Sequence, residues 1–289
     1  MFTSPDAALG KGWKSFSDTS VTGTGDTAGF HILRADESSS FAYQQVADLR
    51  ESALGDIGPW TGYVCTTGSG RYAAAVYAPS LITNRPAMMA KDAFAAVVDL
   101  TTGKVTKPVT GVELAYYSPG CGATDTVTFT RSGVGDDGRG DTTVYDVAAA
   151  TGTVVCATVH GQFTNPLPTA DGNDLGGLGG KLVKVSEGGR TTTLTPLSGR
   201  LFGLAPSQGG AVDLATVQGG KDAVTRWDGT RLTPLGTAPL RSLALFRQAH
   251  GDLVAGASES EVPMIERVYG PLTPCVRRQP NSHRDREHL

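Results

Sequence analysis

The chain has 289 residues, which is long enough for one large β domain or two small ones. Its 38 glycines, its 16 prolines and its low charged fraction of 18% are typical of proteins built from short strands and tight turns. The formal net charge of -3, together with the lack of any apolar run near the roughly 18 residues of a bilayer span, excludes a nucleic-acid binder and a membrane-spanning protein.

The first part of the chain predicts strands and little helix. The segment from Met1 to Trp13 lacks the basic and then apolar layout of a signal peptide, so we expect no export signal in this chain. The first predicted hairpin runs from Phe30 through a polar turn to Tyr43 and forms an early, divergent unit. Short turns of helix are predicted at 47–54 and 86–96, and neither has a sustained apolar stripe.

Two kinds of glycine-containing turn recur along the chain. The first joins two strands, and its markers, which lie 49, 37 and 40 residues apart, are Gly103, Gly152, Gly189 and Gly229. The second precedes an aliphatic strand, and its markers, which lie 52, 50, 38 and 41 residues apart, are Gly70, Gly122, Gly172, Gly210 and Gly251. Because both series shorten together, each unit contains two hairpins, or about four strands in roughly 40 to 50 residues. The sequence therefore predicts an all-β, β-propeller-like repeat of four-stranded blades, with about five to six units in a ring that is complete or open.

Two insertions lengthen the first full units, at 83–92 and 133–141, and insertions of this kind form surface loops. Their polar residues are the candidate binding residues, namely Asn84, Arg85, Asp136, Asp137 and Arg139. The chain after Ser258 is rich in arginine and has neither strand alternation nor a repeat marker. We therefore expect a repeat domain over 12–258 and an irregular or disordered tail over 259–289.

The four cysteines do not have the spacing of a zinc site, since they share no CxxC pair and no histidine at ligand distance in the sequence. Cys65 and Cys121 occupy matching places in two successive units, so a disulfide between neighbouring units and a set of buried thiols are both open. A disulfide would indicate a protein that works outside the cytosol. The pattern does not decide the pairing of Cys156 and Cys275.

Motifs that would carry chemistry are weak. The chain has no Gly-x-Ser-x-Gly elbow, and its five histidines stand in unrelated contexts that are typical of surface or turn positions. The acidic insertion at 135–141 fails the calcium-loop spacing, and the glycine-rich runs lack the following helix and lysine of a phosphate loop. We therefore predict no metal, no cofactor and no catalytic residue.

Carboxylates and aromatic residues in the predicted strands leave two further alternatives. Asp99, Asp146 and Asp213 are the nominal candidates for a propeller hydrolase or lyase with carboxylates at the central channel. Their recurrence at what we interpret as equivalent hairpin positions favours a turn-capping role. The aromatic residues are more consistent with packing between blades than with a sugar-stacking platform. They are Trp60, Tyr63, Tyr77, Tyr116, Tyr117 and Trp227.

Several longer motifs resemble the amino-terminal, propeller-like region of very large secreted proteins of actinobacteria, which carry golvesin-like or RHS-type modules downstream. The motifs are Gly29-Phe30-His31-Ile32-Leu33, Ala47-Asp48-Leu49-Arg50-Glu51, Trp60-Thr61-Gly62-Tyr63-Val64-Cys65, Thr67-Gly68-Ser69-Gly70-Arg71, Val76-Tyr77-Ala78-Pro79, Val97-Val98-Asp99-Leu100-Thr101-Thr102-Gly103 and Ser118-Pro119-Gly120-Cys121-Gly122. The resemblance covers residues 12–258. It implies export, a paired Cys65 and Cys121, and a longer parent protein with downstream modules, and it implies no particular activity.

These observations predict a non-enzymatic, extracellular scaffold or interaction module of a larger secreted protein, which binds a protein or polysaccharide ligand through its blade loops. The alternatives are a carbohydrate-binding propeller and a propeller hydrolase or lyase.

Overall fold

The computed structural model describes residues 19–55, 57–115, 117–133, 140–241, 243–247, 253–257 and 266–268, and for Gln208 and the residues after Leu243 it describes the backbone alone. Within these ranges, 23 strands form six antiparallel sheets. The all-β prediction is confirmed.

The strands, in chain order, are β1 (Thr19–Gly25), β2 (Phe30–Asp36), β3 (Gln44–Leu49), β4 (Trp60–Thr66), β5 (Tyr72–Pro79), β6 (Ala93–Asp99), β7 (Val105–Thr106), β8 (Thr110–Val112), β9 (Gly120–Cys121), β10 (Thr126–Ser132), β11 (Thr142–Ala148), β12 (Val154–Val159), β13 (Phe163–Pro168), β14 (Asp174–Leu178), β15 (Lys181–Val185), β16 (Thr191–Pro196), β17 (Arg200–Pro206), β18 (Val212–Gln218), β19 (Lys221–Trp227), β20 (Leu232–Pro239), β21 (Leu243–Arg247), β22 (Leu253–Ala257) and β23 (Glu266–Val268). Helical segments are α1 (Pro86–Met89) and the 3-10 turns Glu37–Ser39, Ser52–Leu54, Ser80–Ile82 and Gln208–Gly210. The short turns of helix expected at 47–54 and 86–96 are thus wrong in part, because residues 47–49 belong to β3 and residues 93–96 to β6.

Each sheet is one blade. Blades 2 to 5 follow chain order as β4–β7, β9–β12, β13–β16 and β17–β20, with β8 as an extra strand on β6. Blade 1 consists of β1–β3 and of β23, which pairs with β1, so strands from the two ends of the described chain share one sheet. Blade 6 has two strands in the described residues, β21 and β22. The prediction of four-stranded blades is confirmed for blades 1 to 5.

The first strands of consecutive blades contact one another, in the order β4, β9, β13, β17 and β21, and β21 also contacts β23. These strands therefore surround the centre of a ring. Each blade has two ends, so the ring has two faces, which we call the insertion face and the turn face. The insertion face carries the connections between second and third strands, at 80–92, 133–141, 179–180 and 219–220. The turn face carries the other hairpins, including those of Gly103 and Gly152.

The second strand of each blade explains the apolar runs in the sequence. Tyr72–Pro79 is buried at every position, because the neighbouring blades cover both faces of the sheet. Alanine at four of these eight positions allows the close packing of sheets that a radial arrangement requires. The turns follow from glycine, since Gly103, Gly152 and Gly189 have φ values of 72°, 74° and 76° that other residues rarely adopt.

The innermost strands of blades 2, 3 and 4 are fastened to each other. A disulfide joins Cys65 of β4 to Cys121 of β9, with a Cα–Cα distance of 5.9 Å. Glycines bring β9 against β13, because a Cβ atom on Gly120 would lie 2.0 Å from the carbonyl oxygen of Pro166 and one on Gly122 would lie 1.9 Å from that of Pro168. The disulfide between neighbouring units is confirmed, and Cys156 is a free, exposed thiol.

Replacing both Cys65 and Cys121 by serine should lower the free energy of unfolding by about 2 to 4 kcal/mol, because the bridge closes a loop of 56 residues in the unfolded chain. Denaturant titration of oxidised and reduced protein measures this difference. Cys156→Ser is the matched control and should leave stability and its sensitivity to reductant unchanged. Equal stability of oxidised wild type and the double variant would contradict the assignment.

Candidate functional site

The first sequence insertion lies on the insertion face, beside the end of β10. The connection at 80–92 contains α1, and its backbone is tied to blade 3 and the segment that leads to it. The amide of Leu114 donates to the carbonyl of Met89 at 2.7 Å, and the amide of Ser132 donates to that of Ala90 at 3.0 Å. Ser132 is the last residue of β10, where the second insertion begins. We call residues 80–92 and the adjoining end of β10 the platform.

The candidate binding residues of the first insertion stand on the platform. Asn84 has a φ of 64° and is exposed, and Arg85 is exposed with its guanidinium 3.8 Å from the sulfur of Met88. The carbonyl of Arg85 accepts the amides of Met88 and Met89, both at 2.9 Å, so its backbone is fixed while its side chain faces solvent. Asp136, Asp137 and Arg139 lie outside the described residues. The binding role of all five stays a prediction.

A buried carboxyl group, that of Glu113, forms hydrogen bonds next to the platform. Glu113 accepts hydrogen bonds from the hydroxyls of Tyr117 at 2.6 Å, Ser132 at 3.0 Å and Thr130 at 3.1 Å. Burial raises the pKa of Glu113, and the three donors offset part of this rise. Because all three donors are hydroxyls, no cation neutralises the group in these contacts. Glu113 therefore serves to hold the chain after β8 against β10.

A second buried acidic site lies in the seam between blades 3 and 4. The hydroxyl of Thr128 lies 2.7 Å from Asp146 Oδ1 and 2.8 Å from Asp174 Oδ1. Burial, and then the charge of Asp146, raise the pKa of Asp174 to about 8, and burial also raises the pKa of Asp146. The two carboxyl groups therefore share a proton across the seam at neutral pH. Thr128 and Asp146 belong to β10 and β11, and Asp174 to β14, so the pair lies away from the innermost strands.

The three carboxylates that we grouped from the sequence have different roles, so the interpretation as equivalent hairpin positions is wrong for two of them. Asp99 does cap its hairpin, since Oδ1 accepts the amides of Thr101 at 2.9 Å and Thr102 at 3.1 Å. Asp146 lies two residues earlier in its own hairpin and turns into the seam. Asp213 is fully buried and forms a bidentate pair with Arg226, with distances of 2.7 and 2.8 Å.

His31 is the one described histidine that sequence reasoning placed wrongly. It is buried between two carboxylates, with Nε2 3.0 Å from Asp26 Oδ1 and Nδ1 in contact with Asp48. Burial alone would lower its pKa, but the hydrogen bonds and charges of both aspartates outweigh burial and raise it. The amide of Trp60 donates to the carbonyl of Asp26 at 2.8 Å, so the cluster helps to join blade 1 to blade 2.

Trp60, Tyr77 and Trp227, which the sequence singled out, are buried, whereas Phe41 and Tyr43 are 53% and 40% exposed. Trp60, Tyr77 and Phe94 form one cluster, with ring centroids 5.7 to 6.4 Å apart, and Trp227 is buried in blade 5. Tyr116 lies outside the described residues. Across the ranges that the structure describes, no group of three or more His, Cys, Asp or Glu side chains has the geometry to hold a metal ion.

Sequence reasoning missed Glu113, Asp174 and the surroundings of His31. Each has a partner in a strand 17 to 46 residues away, which no local motif indicates. The only available signal was the position of Asp174 directly after a turn marker, where a charged residue enters a strand that is otherwise apolar.

Asp174 predicts a pH dependence. Between its ordinary pKa of 3.8 and about 8, the folded protein binds this proton more tightly than the unfolded chain, so stability falls as pH rises through that window. Between pH 6 and pH 9, wild type should lose at least about 1 kcal/mol more unfolding free energy than Asp174→Asn, which cannot ionise. Asp228→Asn is the control, since the pKa of Asp228 is lowered to about 2 and its titration is complete below the window. Parallel pH profiles for wild type and Asp174→Asn would contradict the shared proton.

No protein-family model matches the sequence, and a comparison with curated proteins also finds no match. Solved structures do resemble it. TolB from Acinetobacter baumannii is 15% identical, with a TM-score of 0.55 over 92% of this chain and 69% of that one. A protein of unknown function from Bacteroides caccae is 12% identical, with a TM-score of 0.51 over 88% of this chain and 99% of that one. At these identities the likeness concerns the fold alone, and the fold of this chain is a β-propeller.

Proposed function

We propose that this chain is a non-enzymatic interaction module that works outside the cell and binds a protein partner through the platform. The single observation that carries the proposal is the fastening of the 80–92 connection to blade 3, which presents exposed polar side chains on a fixed backbone. Preorganised loops of this kind lose little conformational entropy on binding. The rigid scaffold beneath them is the ring of innermost strands.

The environment of the buried acids supports a role without catalysis. Asp99 caps a hairpin and pairs with Arg71 at 2.8 Å, Asp213 pairs with Arg226, and Asp146 shares a proton with Asp174. Each of these carboxylates already has strong partners, whereas a general acid or base must be accessible to substrate. A carbohydrate-stacking role would need exposed aromatic faces at the binding surface, and Trp60, Tyr77 and Trp227 are buried. The exposed aromatic residues Phe41 and Tyr43 lie in the connection between β2 and β3 of blade 1, outside the platform.

The disulfide and the sequence resemblance both support an extracellular location. A disulfide persists in oxidising compartments, so the Cys65–Cys121 bridge is compatible with a secreted protein. In the part of the chain that the structure describes, no helix has the length and apolar character to cross a membrane. The motifs shared with the propeller-like region of large actinobacterial secreted proteins favour the same location and a longer parent protein.

Site-specific crosslinking tests the platform. A photo-crosslinking amino acid in place of Ala87, which is exposed in α1, should give a discrete adduct with a protein of the secreted or envelope fraction of the producing cell. The same group in place of Glu187, exposed on the turn face, should give none. Arg85→Glu should reduce the Ala87 adduct by at least about fivefold, because repulsion replaces a charge pair worth about 1 kcal/mol.

Arg190→Glu is the matched control, since Arg190 is an exposed arginine of the turn face. It should leave the adduct unchanged. Equal adducts from both crosslinker positions, or none from Ala87, would contradict the proposal. Turnover of an ester or glycan that Asp99→Ala abolishes without unfolding would replace it by the enzymatic alternative.

A further inference from the structure

The insertion face changes character between the two halves of the ring. Blades 2 and 3 carry the long insertions, whereas blades 4 and 5 end in two-residue turns, Gly179-Gly180 and Gly219-Gly220, which are exposed. A Cβ atom on any of these four glycines would meet nothing within 4 Å. This part of the face is therefore low and open.

Four exposed cationic side chains surround these short turns, and we call them the basic strip: Lys181, Arg200, Lys221 and Arg241. The pairing of the strands shows how these four residues are arranged. Leu178 pairs with Lys181 at the end of blade 4, and in blade 5 Arg200 pairs with Val217 and Gln218 with Lys221. Lys221 in turn pairs with Pro239, two residues before Arg241.

Blade 4 is joined to blade 5 at this point, since a Cβ atom on Gly177 would lie 3.1 Å from the side chain of Leu201. Within blade 5, Arg200 and Lys221 stand on first and third strands, which places their backbones about 10 Å apart at a strand spacing of about 4.8 Å. The four cationic side chains thus form a row across two blades, in which neighbouring members are one or two strands apart.

Within the described residues, none of the four cations has an ion-pair partner, and the connections and strand ends that carry them contain no exposed acid. The one acidic side chain beside them, Asp222, is buried and accepts the amide of Leu243 at 3.1 Å. The turn face of the same blades differs, because its hairpins carry exposed acids close to their cations, with Glu187 near Arg190 and Asp228 near Arg231. A chain of net charge -3 therefore has, at one end of two blades, a group of cations with no exposed acid beside them in the described residues.

We propose that the basic strip binds an acidic polysaccharide along blades 4 and 5. Lysine and arginine in a row can each pair with a carboxylate or sulfate of a linear polymer, and such pairs are charge-assisted hydrogen bonds. Among the described residues, the strip has a single large exposed apolar neighbour, Leu240, whereas protein interfaces depend on aromatic anchors that become buried on binding. In the part of the chain that the structure describes, it also has no exposed aromatic residue on which the bases of single-stranded nucleic acid could stack.

This site is distinct from the platform and does not depend on a protein partner there. The experiment uses the full chain and measures equilibrium binding of polygalacturonate, a polymer with one carboxylate per sugar, between 25 and 300 mM salt. Neutral dextran, polyglutamate and a single-stranded oligonucleotide of similar length are the comparison ligands. The strip variant carries Arg200→Gln, Lys221→Gln and Arg241→Gln.

A matched variant removes the same charge from the turn face, with Lys104→Gln, Arg190→Gln and Arg231→Gln, all at exposed positions. We expect wild type and the matched variant to bind polygalacturonate alike, and the strip variant to bind at least about tenfold more weakly with a shallower salt dependence. Arg85→Glu, which tests the platform, should leave this binding unchanged.

Four outcomes would overturn the proposal. They are no binding at the lowest salt, equal losses in the strip and matched variants, equal binding of dextran, and tighter binding of polyglutamate or of the oligonucleotide. Both triple variants should have the same thermal melting curve as wild type. A loss of binding then results from the lost charge and not from unfolding.

Discussion

The close approach of the innermost strands of blades 2, 3 and 4 is the constraint on which the rest of the structure depends. Backbone lies against backbone where Gly120 and Gly122 face the carbonyls of Pro166 and Pro168, and the Cys65–Cys121 bridge makes the neighbouring contact covalent. Any side chain larger than hydrogen at these glycines would separate the sheets. Once the three strands are held, the second strands behind them are covered on both faces, which explains the unbroken burial of Tyr72–Pro79.

Buried polar groups between the blades complete this arrangement. Glu113 joins the chain after β8 to β10, the Asp146 and Asp174 pair joins blade 3 to blade 4, and His31 stands between two aspartates where blade 1 meets blade 2. Each is a buried ionisable group with strong partners, so each couples proton binding to the docking of blades. We therefore propose that ligands bind on the insertion face, at the platform on blades 2 and 3 and at the basic strip on blades 4 and 5.

The fold could be predicted because its signals are local. A tight hairpin needs a positive φ, so glycines such as Gly103 and Gly152 mark every unit at a readable period. The site could be predicted only in part, since Asn84 and Arg85 stand out as an insertion but Glu113 and Asp174 have ordinary neighbours in sequence. Their character arises from contacts between blades. The basic strip was hidden for the same reason, because the net charge of the chain averages over two faces that only the ring separates. Closure of blade 1 by β23 is likewise a pairing of distant segments in a region where the sequence shows no repeat.

Native-state hydrogen exchange, followed by peptide mass spectrometry in oxidised and reduced protein, tests the central role of the inner strands most directly. We expect that peptides covering β4, β5, β9, β10, β13 and β14 exchange slowest and open together, and that reduction speeds their exchange as one group while the outer strands change little. Independent opening of blade 2 and blade 3 in the oxidised protein, or exchange in β4 and β9 as fast as in the outer strands, would contradict it.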